Sequence, residues 1–136
     1  MPEGPEIHRA ADKIRKALEG KVIEDIEITL PQFSGREHDF LGKTVNKVEA
    51  RGKALLIHFD SFVMYSHNQL YGRWTVNLRT TEAKKWNRSL RVALTTDKHT
   101  CRLWSATVYL HELIFLLHAH LPFTNRAFVA DQFLFS

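Results

Sequence analysis

The chain is poor in cysteine, has no long apolar run and shows no repeated or low-complexity segment. Cys101 is the only cysteine among 136 residues, so no internal disulfide and no cysteine-rich zinc site can form. No apolar stretch approaches the roughly 20 residues that span a bilayer. The N-terminus lacks the basic and then apolar pattern of a signal peptide. We therefore expect a cytosolic protein with no membrane partner, and a buried rather than a reactive Cys101.

The composition is that of a soluble globular domain. Hydrophobic residues make up 44% and charged residues 25% of the chain, and the length suits one domain with a modest core. The net charge of +4 is typical of a protein with a polyanionic partner, although many basic domains have none.

The first twenty residues predict an amphipathic helix. Apolar residues recur at spacings of three and four between Pro5 and Glu19, and cations and acids fill the other faces. Pro5 suits the first turn and Gly20 a C-cap. The apolar stripe consists of Ile7, Ala10, Ala11, Ile14 and Leu18.

After Gly20 the apolar period changes to two, which predicts strands. Because short strands follow one another without helices between them, we expect antiparallel pairing. The predicted fold class is α+β, an antiparallel two-layer β-sandwich with a flanking N-terminal helix. The strand segments are KVIEDIEITL, KTVNKVEARG, KALLIHF, SFVMYSH, RWTVNL, SLRVALTT and HTCRLWSATV.

The chain changes character near residue 107. The segment VYLHELIFLLHAHLPFTNRAFVADQFLFS holds no lysine and only three charged residues. Its start, Val108 to His120, suits a helix that is apolar nearly all round and must be buried. We divide the chain into a domain at 1–107 and an atypical apolar tail at 108–136. His118 and His120 lie too close together to share a helix face, so no metal site is predicted.

The opening MPEGPEI admits two interpretations. One is a turn followed by a helix start. In the other, Met1 is removed and Pro2 presents a free secondary amine. The pKa of an α-amino group is about 7.7–8.0, so part of it is unprotonated at neutral pH. Such an amine attacks a carbonyl-like carbon and forms an iminium. Glu3 and Glu6 stand close enough in sequence to move protons for it.

Two later stretches carry further candidates. In ARGKALLIHF, Gly52 and Lys53 suit a hairpin end or a bulge. The lysine there is either solvated, or it contacts a phosphate or transfers a proton. In YSHNQLYGRW, polar and apolar side chains stand together before Gly72. That loop either packs inward as a turn or fills the hole left by a flipped base. Its candidate DNA-binding residues are His67, Asn68, Gln69, Leu70 and Tyr71.

In this order and spacing, MPEGPEI, ARGKALL and YSHNQLYG resemble the N-terminal domain of the formamidopyrimidine-DNA glycosylase family. The resemblance covers residues 1 to about 106. It implies that Pro2 forms a Schiff base with C1′ of a damaged nucleotide, that Glu3 is the acid and that Lys53 assists β-elimination. Glu6 would support the site, and Gln69, Leu70 and Tyr71 would fill the gap left by the everted base.

The resemblance also implies a function and partners. The expected activity is base-excision repair: removal of oxidised pyrimidines and nicking at the abasic site, without a cofactor in this chain. The expected partner is double-stranded DNA that contains oxidised bases or abasic sites, bound by a monomer.

The sequence departs from the family after residue 106. The family adds a helix–two-turn–helix domain and a zinc finger, and neither pattern is present in these 136 residues. One hypothesis is a frameshift near codon 107. We then expect impaired glycosylase action on duplex DNA, with abasic-site lyase action retained. The alternatives are a non-catalytic DNA-binding fragment and a non-functional remnant.

Overall fold

A computed structural model describes residues 4–68 and 72–112. The helix α1 spans Gly4–Leu18, and short 3₁₀ turns cover Pro31–Phe33 and Glu37–Asp39. The eight strands are β1 (Asp25–Ile28), β2 (Lys47–Arg51), β3 (Ala54–His58), β4 (Phe62–His67), β5 (Arg73–Leu78), β6 (Leu90–Thr95), β7 (His99–Trp104) and β8 (Thr107–Glu112).

The strands form two four-stranded antiparallel sheets. One sheet has the order β1-β6-β7-β5 and the other the order β2-β3-β4-β8. One continuous core cluster takes buried side chains from both sheets, among them Leu94 and Leu103 from the first and Ile57 and Met64 from the second. The predicted α+β fold with a two-layer antiparallel sandwich is therefore confirmed.

The helix contributes its apolar stripe to the same core. Ile7, Ala11, Ile14 and Leu18 are each at most 2% exposed, and Ala17 joins them. The helix ends where predicted, because Gly20 has a φ of +78°, a conformation that costs glycine little. This burial holds α1 against strands of both sheets.

The second sheet is buried on both faces, which explains its nearly continuous apolar strands. Side chains alternate in direction along a strand, so Leu55 and Ile57 of β3 face the main core and Leu56 faces the opposite side. Leu56 packs there with Val63 and Tyr65 of β4 in a separate buried cluster. Strict apolar and polar alternation would therefore have missed β3 and β4.

One local prediction is wrong. The segment from Val108 was expected to begin a helix, but Thr107–Glu112 is β8 and pairs with β4 from His67 to Phe62. The apolar character that suggested an all-round buried helix suits a strand whose Val108 faces the main core while its neighbours face the other side. Residues 113–136, with His118 and His120, lie outside the described residues.

Cys101 has the predicted environment. Its side chain is fully buried, and burial raises the pKa of its thiol to about 12. In the ranges that the structure describes, no helix has the length and apolar character needed to cross a membrane.

Candidate nucleic-acid interface

Lys53 lies at the tip of the β2–β3 hairpin. Arg51 pairs with Ala54, so Gly52 and Lys53 form a two-residue loop. Gly52 has a φ of +62° and Lys53 has no positive φ, the pattern of a type II′ turn. The predicted hairpin end is confirmed, and it holds the Lys53 side chain in solvent.

The charged residues beside the hairpin tip pair with one another and leave the Lys53 side chain without a carboxylate partner among the described residues. Arg51 donates to Glu49 at 3.1 Å, and His58 lies 2.8 Å from the same carboxylate. Burial raises the pKa of Glu49, but the hydrogen bond from His58 and the charges of Arg51 and Lys47 together lower it below its ordinary value. Glu49 therefore stays ionised and holds Arg51, whereas Lys53 has no carboxylate partner among the described residues.

The sheet register brings the loop after β4 to the same end as Lys53. Ala54, which follows Lys53, pairs with His67, the last residue of β4. Thr107 donates its hydroxyl hydrogen to the His67 carbonyl oxygen at 3.2 Å, which ties the end of β4 to β8. Asn68, next in the chain, is 8% exposed. Lys53 and Asn68 therefore lie at the same end of the second sheet, beside its two central strands.

The first turn of α1 lies beside the end of β4. Glu6 is exposed in the first turn of the helix and lines a depression of about 240 Å³ together with Asn68. One described residue of each motif, namely Glu6, Lys53 and Asn68, thus lies at the same end of the sandwich. Pro2, Glu3, Gln69, Leu70 and Tyr71 lie outside the described residues, so their roles stay predictions.

The depression is basic. The described lining contains three cations and one carboxylate, that of Glu6. None of the three cations has an ion pair with a carboxylate in the described part of the chain, and Asn68 has a buried Oδ1 without a hydrogen-bond partner there. The three unpaired cations suit an anionic ligand, whereas the Asn68 Oδ1 is an acceptor that needs a donor. Its other members are Arg9, Ala10, Lys13, Arg73 and Trp74.

Sequence reasoning did not assign Arg9, Lys13 and Arg73 to the site. Arg9 and Lys13 are four residues apart on α1, which places both on one helix face, so a signal was present. The sequence carries no comparable signal for Arg73, because only the packing of α1 against β5 brings Arg73 to the depression. Across residues 4–68 and 72–112, no three histidine, cysteine, aspartate or glutamate side chains meet in a metal-binding group.

Comparison with known proteins identifies the class. Residues 1–106 match the sequence model of the formamidopyrimidine-DNA glycosylase N-terminal domain. The chain therefore belongs to the formamidopyrimidine-DNA glycosylase family.

Within this family the chain is similar to Endonuclease 8. It is 47% identical over 108 residues to Endonuclease 8 of Escherichia coli (strain 55989) and to that of Shigella dysenteriae serotype 1. The aligned region covers 79% of this chain and 41% of each relative. The chain thus spans about two fifths of the length of the curated relatives that it matches.

Solved structures share the fold. MutM in complex with DNA containing carbocyclic 8-oxo-G has a TM-score of 0.72 and 21% identity, over 85% of this chain and 47% of that chain. The Lactococcus lactis formamidopyrimidine-DNA glycosylase bound to DNA with an AP site has a TM-score of 0.71 and 21% identity, with the same coverage. Both confirm the two-sheet architecture.

Proposed function

We propose that the chain carries the catalytic machinery of a base-excision DNA glycosylase and abasic-site lyase that acts on oxidised pyrimidines. The observation that carries this proposal is that described residues of three separate motifs lie at one end of the sandwich. Lys53 and Asn68 lie at the same end of the second sheet, and Glu6 and Asn68 line one basic depression. Membership of the family and the similarity to Endonuclease 8 support the same activity.

The chemistry begins at Pro2. Its amine nitrogen bonds to C1′ of the damaged nucleotide, and the bond from C1′ to the base breaks, with Glu3 donating a proton to the departing base. The sugar ring opens at O4′ and leaves an iminium between Pro2 and C1′, which acidifies the C2′ hydrogen. Loss of that proton forms a C2′–C3′ double bond and breaks the C3′–O bond, so the downstream strand leaves with the phosphate at its 5′ end. Water then hydrolyses the iminium and frees Pro2.

Lys53 and Glu6 assist these steps. Lys53 stands on a rigid hairpin tip without a carboxylate partner in the described residues, so its ammonium group is free to contact the DNA backbone and to take part in proton transfer. Glu6, one helical turn beyond Glu3, supports the acid through hydrogen bonding. Both roles require a side chain at a fixed position beside the substrate. The hairpin fixes the backbone of Lys53, and the helix fixes that of Glu6.

The loop from His67 to Tyr71 has a separate role. Gln69, Leu70 and Tyr71 fill the gap that the everted base leaves, since unstacking a base costs a few kcal/mol and a filled hole recovers part of that cost. His67 and Asn68 anchor the loop at the end of β4. The substrate is double-stranded DNA with an oxidised base or an abasic site, bound by a monomer in the bacterial cytosol.

Borohydride trapping on abasic-site DNA tests the proposal. Borohydride reduces the iminium and makes the protein–DNA bond permanent. We expect the adduct on the tryptic peptide Pro2–Arg9, and almost none with Pro2→Gly. Lys53→Gln should slow strand nicking by about 100-fold or more, the usual contribution of an acid–base group.

Lys43→Gln is the matched control, because Lys43 is also exposed and lies on a turn outside the depression. It should nick and trap like the unchanged chain. Equal trapping by the unchanged chain and by Pro2→Gly contradicts the role of Pro2. Salt-sensitive DNA binding without any trapping would instead support the non-catalytic DNA-binding alternative.

A further inference from the structure

A groove runs from the candidate site along the helix α1. The depression that holds Glu6 and Asn68 adjoins two others, of about 290 and 420 Å³. Lys13 lines all three, and Trp74 lines the two nearest the site. The three depressions therefore form one groove, between α1 on one side and β5 on the other. We call it the α1–β5 groove.

The rim of the α1–β5 groove carries five exposed cations. In the described ranges none of them forms an ion pair with a carboxylate, whereas several other cations do: Arg15 pairs with Asp12 at 2.6 Å and Arg79 with Glu24 at 2.7 Å. Glu6 is the single acid in the described lining, at the end nearest the site. The rim cations are Arg9, Lys13, Lys16, Arg73 and Lys84.

Unpaired cations in a row create a positive field that attracts anions. The five are spread over the three depressions and do not converge on one point, so a single small anion cannot satisfy them. The length of β5, six residues, is about 17 Å. That length matches the rise of about five nucleotides along one DNA strand, at about 3.4 Å each.

The groove also offers buried donors. The indole N–H groups of Trp74 and Trp86 are buried without a hydrogen-bond partner in the described residues, and Trp74 is only 9% exposed. Both indoles line the middle depression. A buried donor without a partner costs free energy. Solvent does not reach either nitrogen, so a phosphate oxygen would accept from it only after the indole shifts, and the attraction of an anion rests on the rim cations.

We propose that the α1–β5 groove binds the phosphodiester backbone of the DNA strand that leads away from the damaged nucleotide. The choice of DNA as the polyanion rests on the proposed function. The groove extends DNA contact beyond the reacting residues, along the helix whose N-terminus lies beside the site. Affinity for DNA without a lesion should therefore depend on the rim cations.

Salt-dependent binding of a lesion-free DNA, labelled and 20 nucleotides long, tests this proposal. The groove variant is Lys13→Gln with Arg73→Gln. The control is Lys43→Gln with Lys98→Gln, which removes the same charge from exposed positions outside the groove. For the groove variant, the slope of log Kd against log salt should fall by about 1.8 on duplex and about 1.4 on single-stranded DNA, at about 0.9 and 0.7 per lost phosphate contact.

The control should keep its slope. An equal loss in both variants would show that only net charge matters and would overturn the proposal, and so would an unchanged slope in the groove variant. Because lesion-free DNA has no reacting group, this result is independent of trapping at Pro2, and either proposal can fail alone.

Lysine acetylation of the unchanged chain gives a second measurement that needs no variant. With saturating lesion-free DNA, Lys13, Lys16 and Lys84 should be acetylated at least several-fold more slowly than without DNA. Lys43 and Lys98 should react at the same rate in both. Equal protection of all five lysines, or of none, would overturn the assignment of the groove.

Discussion

The backbone N–H of Gly72 donates to the carbonyl oxygen of Asn68 at 2.7 Å, so the two described residues on either side of positions 69–71 are hydrogen-bonded to each other. A Cβ placed on Gly72 would lie 2.4 Å from that oxygen and 2.5 Å from the Asn68 Cα. No side chain fits at such distances, because backbone atoms cannot rotate away. This approach of Gly72 to Asn68 therefore requires glycine at position 72.

Replacing Gly72 by alanine should break the hydrogen bond between Gly72 and Asn68. We expect the free energy of unfolding, measured by urea titration, to fall by about 2 kcal/mol or more, within the range of severe backbone clashes. Borohydride trapping on abasic DNA should fall with it. Gly42→Ala is the control: its Cβ meets open space and its φ of +78° costs about 1–2 kcal/mol, but the site is untouched. Normal trapping by Gly72→Ala would contradict a required close approach of Gly72 to Asn68.

Thr96 ties the end of the helix to the sandwich. Its side chain is fully buried, and its hydroxyl donates to the Ala17 carbonyl oxygen in the last turn of α1 at 3.2 Å. Thr96→Val keeps the shape and leaves that oxygen without this donor, so the free energy of unfolding should fall by about 1–3 kcal/mol. Thr81→Val, at an exposed position, should change it by less than about 0.5 kcal/mol. Equal urea midpoints for the two variants would argue against the tie.

Cys101 should be inert in the folded protein. Its thiol is fully buried, and burial raises its pKa to about 12, so almost no thiolate is present at pH 8. A chromogenic disulfide reagent should react at least about 100-fold more slowly with native protein than with urea-unfolded protein. Immediate stoichiometric reaction of native protein would contradict the buried position.

His111 should make stability depend on pH. It is 8% exposed, and burial lowers its pKa below the ordinary value of 6.5. The unfolded chain then binds the proton more readily than the folded chain, so protonation favours unfolding. Stability is full above about pH 6.5 and is lost as the pH falls through the folded-state pKa.

Urea titrations between pH 7.5 and 5 measure this effect. The free energy of unfolding should decline with falling pH in the unchanged chain and decline less in His111→Phe. His8→Gln, which alters an exposed histidine on α1, should follow the unchanged chain. If His111→Phe loses stability with acid as steeply as the unchanged chain, another group is responsible.

Local sequence determined most of the elements. The three- and four-residue spacing of Ile7, Ala11, Ile14 and Leu18 specifies the buried face of α1 whatever lies against it. Gly52 and Lys53 specify a two-residue hairpin, since glycine tolerates the positive φ at the first loop position. Each strand predicted before residue 107 contains an observed strand, because short-range periodicity and turn residues act over a few positions.

The segment from Val108 shows where local pattern fails. An apolar run satisfies either a buried helix or a strand buried on both faces, and periodicity alone does not separate them. Pairing with β4 made it a strand.

The sequence by itself determined the three motifs, the family and the helix and strands that carry them. Tertiary structure alone decided that Glu6, Lys53 and Asn68 lie at one end, because helix docking brings together Glu6 and Asn68, more than sixty positions apart, and strand register places Lys53 beside the end of β4. It also decided that Arg73 from β5 and Lys13 from α1 line one groove. The physical reason is that the sequence pattern indicates which cations are exposed, whereas packing of the whole core decides which of them lie close enough to act on the same ligand.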